Sequence, residues 1–296
     1  MKVVVTGANG AAGRAIVATA RSHRLDLVAA VRSERAAAVI RALDSTTGVA
    51  RVSFDDGASL DAALAGAAAV IHLPGILVER GDATYEVANV ETTRQTVEAA
   101  TRQGVRKIVL VSAVGADARS ANRYWSTKGV AEALVRASGI PYTVLRVPML
   151  LGRGTTAAVA LRRRLRHRRS WLLDGGRTLQ QPLDVDDLAR AAIAACDAGV
   201  APDRTLDLVG PVAVPAREIV ERAARMRGER IRIIAVPASP LRLALWVARH
   251  VTGHGFSPET LEVLTTDTRL DPRGAARACG IELTPLDRTI ERSLEP

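Results

Sequence analysis

Over the first 150 positions, short aliphatic and β-branched runs alternate with alanine-rich stretches of helical spacing, and few folds satisfy that alternation. The runs are KVVVT (2–6), DLVAAVR (26–32), VARVSF (49–54), AAVIHL (68–73), KIVLVS (107–112) and YTVLRV (142–147). Between them, 10–22, 33–43, 59–65, 85–104 and 123–138 read as helices. The strand runs show no in/out alternation, as expected of parallel strands covered on both faces. Parallel neighbours need crossover helices, and these turn in the right-handed sense. The reading is an α/β fold built on a doubly wound parallel sheet.

Beyond 150 the pattern loosens. A basic helix (156–168) and a DGG turn lead to a helix at 184–196, a strand at 205–209, a helix at 215–228 and a strand at 231–236. The tail from 238 reads as mostly helical, with Pro and Gly breaks. The expected division is a main domain over 1–150 and a small, mostly helical C-terminal lobe over 151–296, interleaved with the end of the sheet. That lobe would lie over the carboxyl ends of the strands, where open α/β folds bind ligands.

A chain of 296 residues can bury a substantial core. Only 3% of it is aromatic, so the core must be built from Ala, Val, Leu and Ile. Cys196 and Cys279 have no metal or redox spacing and read as buried free thiols in a reducing compartment. A strand and Gly7 stand where a signal peptide needs its apolar region. Arginines interrupt the longest apolar stretches, so no transmembrane segment is expected and the chain reads as cytoplasmic.

The net charge is +10, with arginines gathered in LRRRLRHRRSW (161–171). A solvated helix face is the plain reading of such a run. It has no interleaved aromatic set for stacking bases, so no nucleic-acid partner is expected, although the run at 162–169 leaves a small opening for one. SPLRLALWVARHVTG (239–253) reads as a core or lid helix, with peripheral membrane contact as the alternative. A protein partner stays open as well.

TGANGAAG (6–13) joins the first strand to the first helix. Gly7 supplies a tight turn, Gly10 a place where backbone can approach a pyrophosphate, and Gly13 close helix–strand packing. The helix starting near Ala11 then presents free N–H groups and a positive dipole end to phosphate. Strand before and helix after is the context this motif demands, and it points to dinucleotide binding; a glycine turn kept only for packing is the alternative. An acid at the end of the second strand would bind the ribose 2′-hydroxyl of NAD, but Arg32 and Ser33 stand there, with Glu34 one step into the next helix. A guanidinium suits a 2′-phosphate, so NADP is expected over NAD.

TGANGAAG, the strand-end VRS, IHLPG (71–75), NVETTRQTVEAA (89–100), VRKIVLVSAVGA (105–116), YWSTK (124–128), YTVLRVPMLLG (142–152) and QPLDVDDLARA (181–191) follow one another in a familiar order. The chain resembles the extended and atypical short-chain dehydrogenases/reductases, in particular NAD(P)H-binding proteins similar to NmrA and to the nucleotide-binding accessory subunit of mitochondrial complex I. The resemblance is strong over 1–150 and rests beyond that on PLDVDDLARA and the helical tail. It implies a Rossmann fold. It places the diphosphate loop on Gly7, Asn9, Gly10, Ala12 and Gly13, and the 2′-phosphate contact on Arg32. The adenine-flanking turn falls on Ser53 and Phe54, where the family carries an Asp and an apolar residue; Asp55 or Asp56 would take the acid's place. The ribose-lining turn falls on Leu73, Pro74 and Gly75.

The family pairs a tyrosine with a lysine four residues later on one helix face, and Tyr124 and Lys128 match that pair. The resemblance makes the tyrosine the proton donor or acceptor during hydride transfer, supported by the lysine. The family's hydroxyl at the end of the fifth strand falls at Ser112, or its position falls on Ala113. Asn89 matches an asparagine that bends the fourth helix, or is a solvated helix residue. His72 reads as a core or cofactor-lining residue. Asp184, Asp186 and Asp187 read as an N-cap and first-turn acids. His250 and His254 lack a third ligand, so no metal is expected.

These residues support an NADP-dependent oxidoreductase acting on a carbonyl, enone or quinone-like small molecule. The alternative is a non-catalytic NADP(H)-binding sensor, assembly or accessory protein. A sugar-nucleotide epimerase or dehydratase is a third reading, against which an abbreviated C-terminal lobe would argue.

Overall fold

The computed structural model describes residues 1–22, 25–237 and 257–295. The first half runs β1 (Lys2–Thr6), α1 (Ala11–Ser22), β2 (Asp26–Val31), α2 (Glu34–Leu43), β3 (Gly48–Arg51), α3 (Gly57–Leu64), β4 (Ala69–His72), α4 (Thr92–Arg102), β5 (Lys107–Ala113), α5 (Arg123–Arg136) and β6 (Tyr142–Val147). Then come β7 (Leu150–Leu151), α6 (Thr156–Arg164), β8 (Arg169–Leu173), β9 (Leu179–Gln180), β10 (Leu183–Asp184), α7 (Val185–Ala194), β11 (Arg204–Asp207), β12 (Val214–Pro215), α8 (Ala216–Met226) and β13 (Arg232–Val236). The chain closes with α9 (Pro258–Thr265), α10 (Arg273–Ala278) and α11 (Leu286–Leu294).

Seven parallel strands form the main sheet in the order β11-β6-β5-β4-β1-β2-β3. Strand order reverses between β1 and β4, which opens a crevice at their carboxyl ends. The apolar runs are explained by two cores. Val3, Val5, Ala29, Val31, Ile71 and Val109 face α1, α2 and α7. Val4, Ala30, Val70, Ile108, Leu110 and Val144 face α3, α4 and α5. A third cluster joins α6, β8, α8 and α11 through Leu161, Leu172, Ile219, Ala223 and Ile290. The architecture is a Rossmann-like doubly wound sheet with a largely helical C-terminal region. Cys196 and Cys279 are free and buried, and burial pushes their thiols up to about 12 and about 11.

Two expected helices are shorter in the structure. The helix expected at 85–104 opens with a π-helical turn, Glu86–Glu91, before α4 begins. Polar side chains pull on that turn: Thr92 and Thr93 donate to the carbonyls of Ala88 and Asn89. The basic helix expected at 156–168 stops at Arg164. The chain turns and enters β8, where Ser170 and Leu172 are buried while Arg169 and Trp171 are exposed, and β8 pairs with β13. The apolar segment 239–253 lies outside the described residues, as do His250 and His254. Among the described residues no helix is long and apolar enough to cross a membrane, and no group of three metal-ligating side chains gathers.

Candidate functional site

The glycine loop is shaped by sterics that only its own backbone satisfies. Gly7 takes φ +73°, a conformation that disfavours a side chain, and its carbonyl accepts from Gly10 N–H at 3.1 Å. A Cβ at Gly13 would lie 2.4 Å from the Ala8 carbonyl oxygen, so α1 sits directly on the turn. At Gly10 the protein asks for no glycine: an added Cβ meets a single atom at 3.4 Å, and the missing side chain leaves the backbone open on its exposed side. No side chain among the described residues accepts from the amides of Ala11, Ala12 or Gly13, whereas α2, α3, α5, α6 and α7 are capped by Ser33, Asp56, Asn122, Thr155 and Asp184. An uncapped helix start beside an exposed glycine fits a diphosphate. Arg14 braces the loop, donating to the Asn9 carbonyl at 2.7 Å and to that of Gly154 at 3.4 Å.

Across the crevice the end of β4 packs against this loop; a Cβ at Gly7 would touch Leu73 and Pro74 at 3.4 Å. Gly75 comes next and abuts α5, where its own Cβ would fall 2.4 Å from Lys128 Nζ and 2.9 Å from Asn89 Oδ1. Asn89 is buried and ties three segments together. Its Oδ1 accepts from Ile76 N–H at 3.3 Å, and its Nδ2 donates to Thr127 Oγ1 at 2.9 Å. It is therefore not a solvated helix residue.

Tyr124 and Lys128 lie one turn apart on α5. Lys128 is buried, and its ammonium makes no hydrogen bond or ion pair among the described residues. Desolvation lowers its pKa to about 8, against a small opposing pull from Glu132. Tyr124 is half-buried, and its hydroxyl likewise has no partner among the described residues. Burial, and then the neighbouring Tyr85, push its phenol above the usual range; the two rings meet edge-on at 5.8 Å. Tyr85 is itself held, donating to the Leu77 carbonyl at 2.8 Å. His72 is enclosed by Thr6 on β1 and Thr93 on α4, at 2.8 and 3.2 Å. Thr93 donates to the Asn89 carbonyl, which leaves its oxygen to accept from Nε2–H of a neutral imidazole. Burial and the nearby Lys128 charge lower the His72 pKa to about 3.

Ser112 stands apart from this pair. Its hydroxyl donates at 2.7 Å to Glu132, which is fully buried and also takes a bidentate pair from Arg146 at 2.8 and 2.7 Å and one bond from Arg136 at 3.1 Å. Ser112 and Arg146 are register partners on β5 and β6, so both face α5. Ala113, the alternative position, is buried and has no hydroxyl.

At the far end of the crevice Arg32 is exposed with no partner among the described residues, while Glu34 is drawn to Arg41 at 2.5 Å. Ser33 caps α2 through Ala36 N–H. Ser53 pairs with the α3 start through Ser59, and Phe54 meets His72 edge-on at 6.3 Å. Asp56 caps α3, which leaves Asp55 exposed. The acids at 184–187 hold the tail: Asp184 caps α7 and accepts from Thr289, and Asp187 accepts from Thr284 twice.

Some partners had no place in the sequence reading. Asn122 caps α5 and donates to Glu259 and Glu262 of α9, which brings the C-terminal region over the helix start. An Asn directly before a helix was the available signal. Glu132, four residues past Lys128, was legible as the next member of the same stripe. The roles of Tyr85, Thr6 and Thr93 had no sequence signal.

The family model described as NAD(P)H-binding matches residues 7–198. Among curated proteins, the ceramide reductase of Caulobacter vibrioides is 29% identical over 79% of this chain and 73% of its own length. The photosystem II assembly factor Ycf39 of Synechocystis is 26% identical over 82% and 72%. Among solved structures, a UDP-glucuronic acid 4-epimerase from Bacillus cereus, in complex with UDP-glucuronic acid and NAD, superposes with a TM-score of 0.78 at 18% identity, a likeness of fold alone. The match covers 99% of this chain and 98% of that one, so the C-terminal lobe is not abbreviated relative to an epimerase, contrary to expectation. Glycine loop, strand order and family model agree: this chain belongs to the NAD(P)H-binding family, among the atypical short-chain dehydrogenase/reductase and epimerase-type proteins that bind a nicotinamide nucleotide.

Proposed function

We propose that the protein is an NADP(H)-dependent reductase of the short-chain type, acting on a carbonyl, enone or quinone-like small molecule. The observation that carries this is the pair Tyr124 and Lys128, one turn apart on α5 beside the β4 turn, whose polar groups have no partner among the described residues. Buried polar groups ordinarily find partners. Two left free at the crevice are groups reserved for a ligand.

Gly7, Asn9, Gly10, Ala11, Ala12 and Gly13 would hold the diphosphate, and Leu73, Pro74 and Gly75 would line the ribose. Bound NADPH supplies the hydride. Tyr124, kept protonated by burial, donates its proton to the oxygen of the reduced group. Lys128, still largely charged at pH 7, steadies the negative charge that develops near that oxygen and anchors the ribose hydroxyls. Asn89 and Gly75 fix the height of Lys128. Ser112 has no free role, because Glu132 claims its hydroxyl.

The test is NADPH oxidation across aldehydes, enones and quinones. Tyr124→Phe should lower turnover by about 10²–10⁴ with NADPH affinity kept. Tight NADPH binding without any Tyr124-dependent turnover would sink the enzyme reading. The coenzyme choice rests on Arg32 standing unpaired while Glu34 is occupied. Arg32→Ala should weaken NADPH at least about tenfold and leave NADH nearly unchanged.

One observation favours a second reading. With Ser112 committed to Glu132, a substrate carbonyl lacks the second donor that the family resemblance implies. A nucleotide-binding assembly or accessory protein would not need it, and the relatives include an assembly factor. The same turnover panel separates the two.

A further inference from the structure

One cationic hollow has no part in the chemistry proposed above. It lies between α6 and β8, with a volume of about 380 Å³. Arg163 and Arg164 line it from the last turn of α6, His167 from the turn that follows, and Arg169, Ser170 and Trp171 from the strand. None of these residues belongs to the crevice at the carboxyl ends of β1, β4 and β5.

Three features separate it from a solvated helix end. The first is uncompensated charge. Arg162 has a structural task, donating to the carbonyls of Ser293 and Glu295 at 2.8 and 2.6 Å. Arg163, Arg164 and Arg169 have no acid partner among the described residues. Complementing the helix dipole accounts for basic residues in the last turn of α6 but not for those past Arg164. Desolvation and the Arg163 charge both lower the pKa of Arg164, as expected where like charges crowd together. The second feature is Ser170, only 2% exposed, whose hydroxyl has no hydrogen-bond partner among the described residues. Native structures rarely leave a buried hydroxyl so, unless something absent completes it. The third is Trp171, whose large indole is 63% exposed beside these cations.

We propose that this hollow binds a phosphate-bearing ligand. The guanidiniums and the Ser170 hydroxyl hold the phosphoryl oxygens, with Ser170 reaching from the buried face of β8 and Arg169 and Trp171 bordering the rim from its exposed face. Phosphate suits the donor set better than a carboxylate does: three guanidinium forks and a hydroxyl offer more N–H and O–H groups than two carboxylate oxygens can accept. A soluble phosphorylated compound and a phosphorylated lipid headgroup share this chemistry.

The test is calorimetric titration of the full chain with inorganic pyrophosphate. Arg163→Ala/Arg164→Ala should weaken binding at least about tenfold. Ser170→Ala should weaken it several-fold while leaving the melting temperature unchanged or raised, since it deletes an unpartnered hydroxyl. Pyrophosphate can also reach the glycine loop, so the variants decide: equal affinity in wild type and both variants overturns the proposal, and so does the absence of any heat. Co-sedimentation with phosphatidylcholine vesicles, with and without phosphatidylinositol 4-phosphate, identifies the source. Sedimentation only with the phosphorylated lipid, lost in the double variant, supports a headgroup; pyrophosphate binding without sedimentation supports a soluble ligand.

Discussion

Two successive stretches of α5 treat their polar side chains in opposite ways. Around Glu132 every group is matched: a buried carboxylate receives Ser112, Arg136 and both nitrogens of an Arg146 fork. Around Tyr124 and Lys128 the hydroxyl and the ammonium are left open among the described residues, and the surrounding hydrogen bonds serve to position them. The first stretch joins β5 and β6 to the helix. The second is held in place by Asn89 and Asn122, while the Tyr124 hydroxyl and the Lys128 ammonium make no bond among the described residues. Matched polar groups are architecture, and open ones mark where a ligand is received.

Substitutions in the two stretches should therefore act on stability with opposite signs. Glu132→Ala should be the most damaging, by about 3–5 kcal/mol, since it leaves Arg146, Arg136 and the Ser112 hydroxyl without their acceptor. Denaturant midpoints measure this, and a loss below about 1 kcal/mol would erase the contrast. Lys128→Met should go the other way. The amine titrates near 8 in the folded protein and at its ordinary 10.5 when unfolded. The unfolded chain thus binds more protons between those values, and wild-type stability rises with pH across that window. Below pH 8 the buried charge costs about 3 kcal/mol, at roughly 1.4 kcal/mol per pH unit. The variant should exceed wild type at pH 7, with the gap closing toward pH 10.5. A gap independent of pH would mean that Lys128 has a partner after all.

Asn122→Ala sits between the two classes. It removes the cap of α5 and the tie to α9, with an expected loss of about 1–2 kcal/mol in thermal unfolding. Tyr124→Phe should be the mildest, within about 0.5 kcal/mol of wild type, because the hydroxyl makes no bond among the described residues. A larger loss there would place Tyr124 with Glu132 as architecture.

The doubly wound sheet, the glycine turn and the Tyr124–Lys128 spacing were legible in the sequence because each rests on short-range rules. Strand hydrophobicity follows from burial on both faces. Gly7 and Gly13 follow from a turn and a close approach within eight residues, and helix periodicity puts positions 124 and 128 on one face. The end of the basic helix at Arg164 and the π-helical turn before α4 were not legible. Each is set by a segment far along the chain: β13 draws Arg169–Leu173 into a strand, and Asn89 is held by Ile76 and Thr127.

The sequence by itself determined the shape of the glycine turn, since the requirement is steric and local. Tertiary structure decided which polar groups remained free to act. Ser112 and Lys128 were both candidate site residues in the sequence, and only the packing of β5, β6 and α5 around Glu132 occupied one and left the other open among the described residues. Whether a hydrogen bond is satisfied depends on neighbours brought together in space, and no local pattern encodes that.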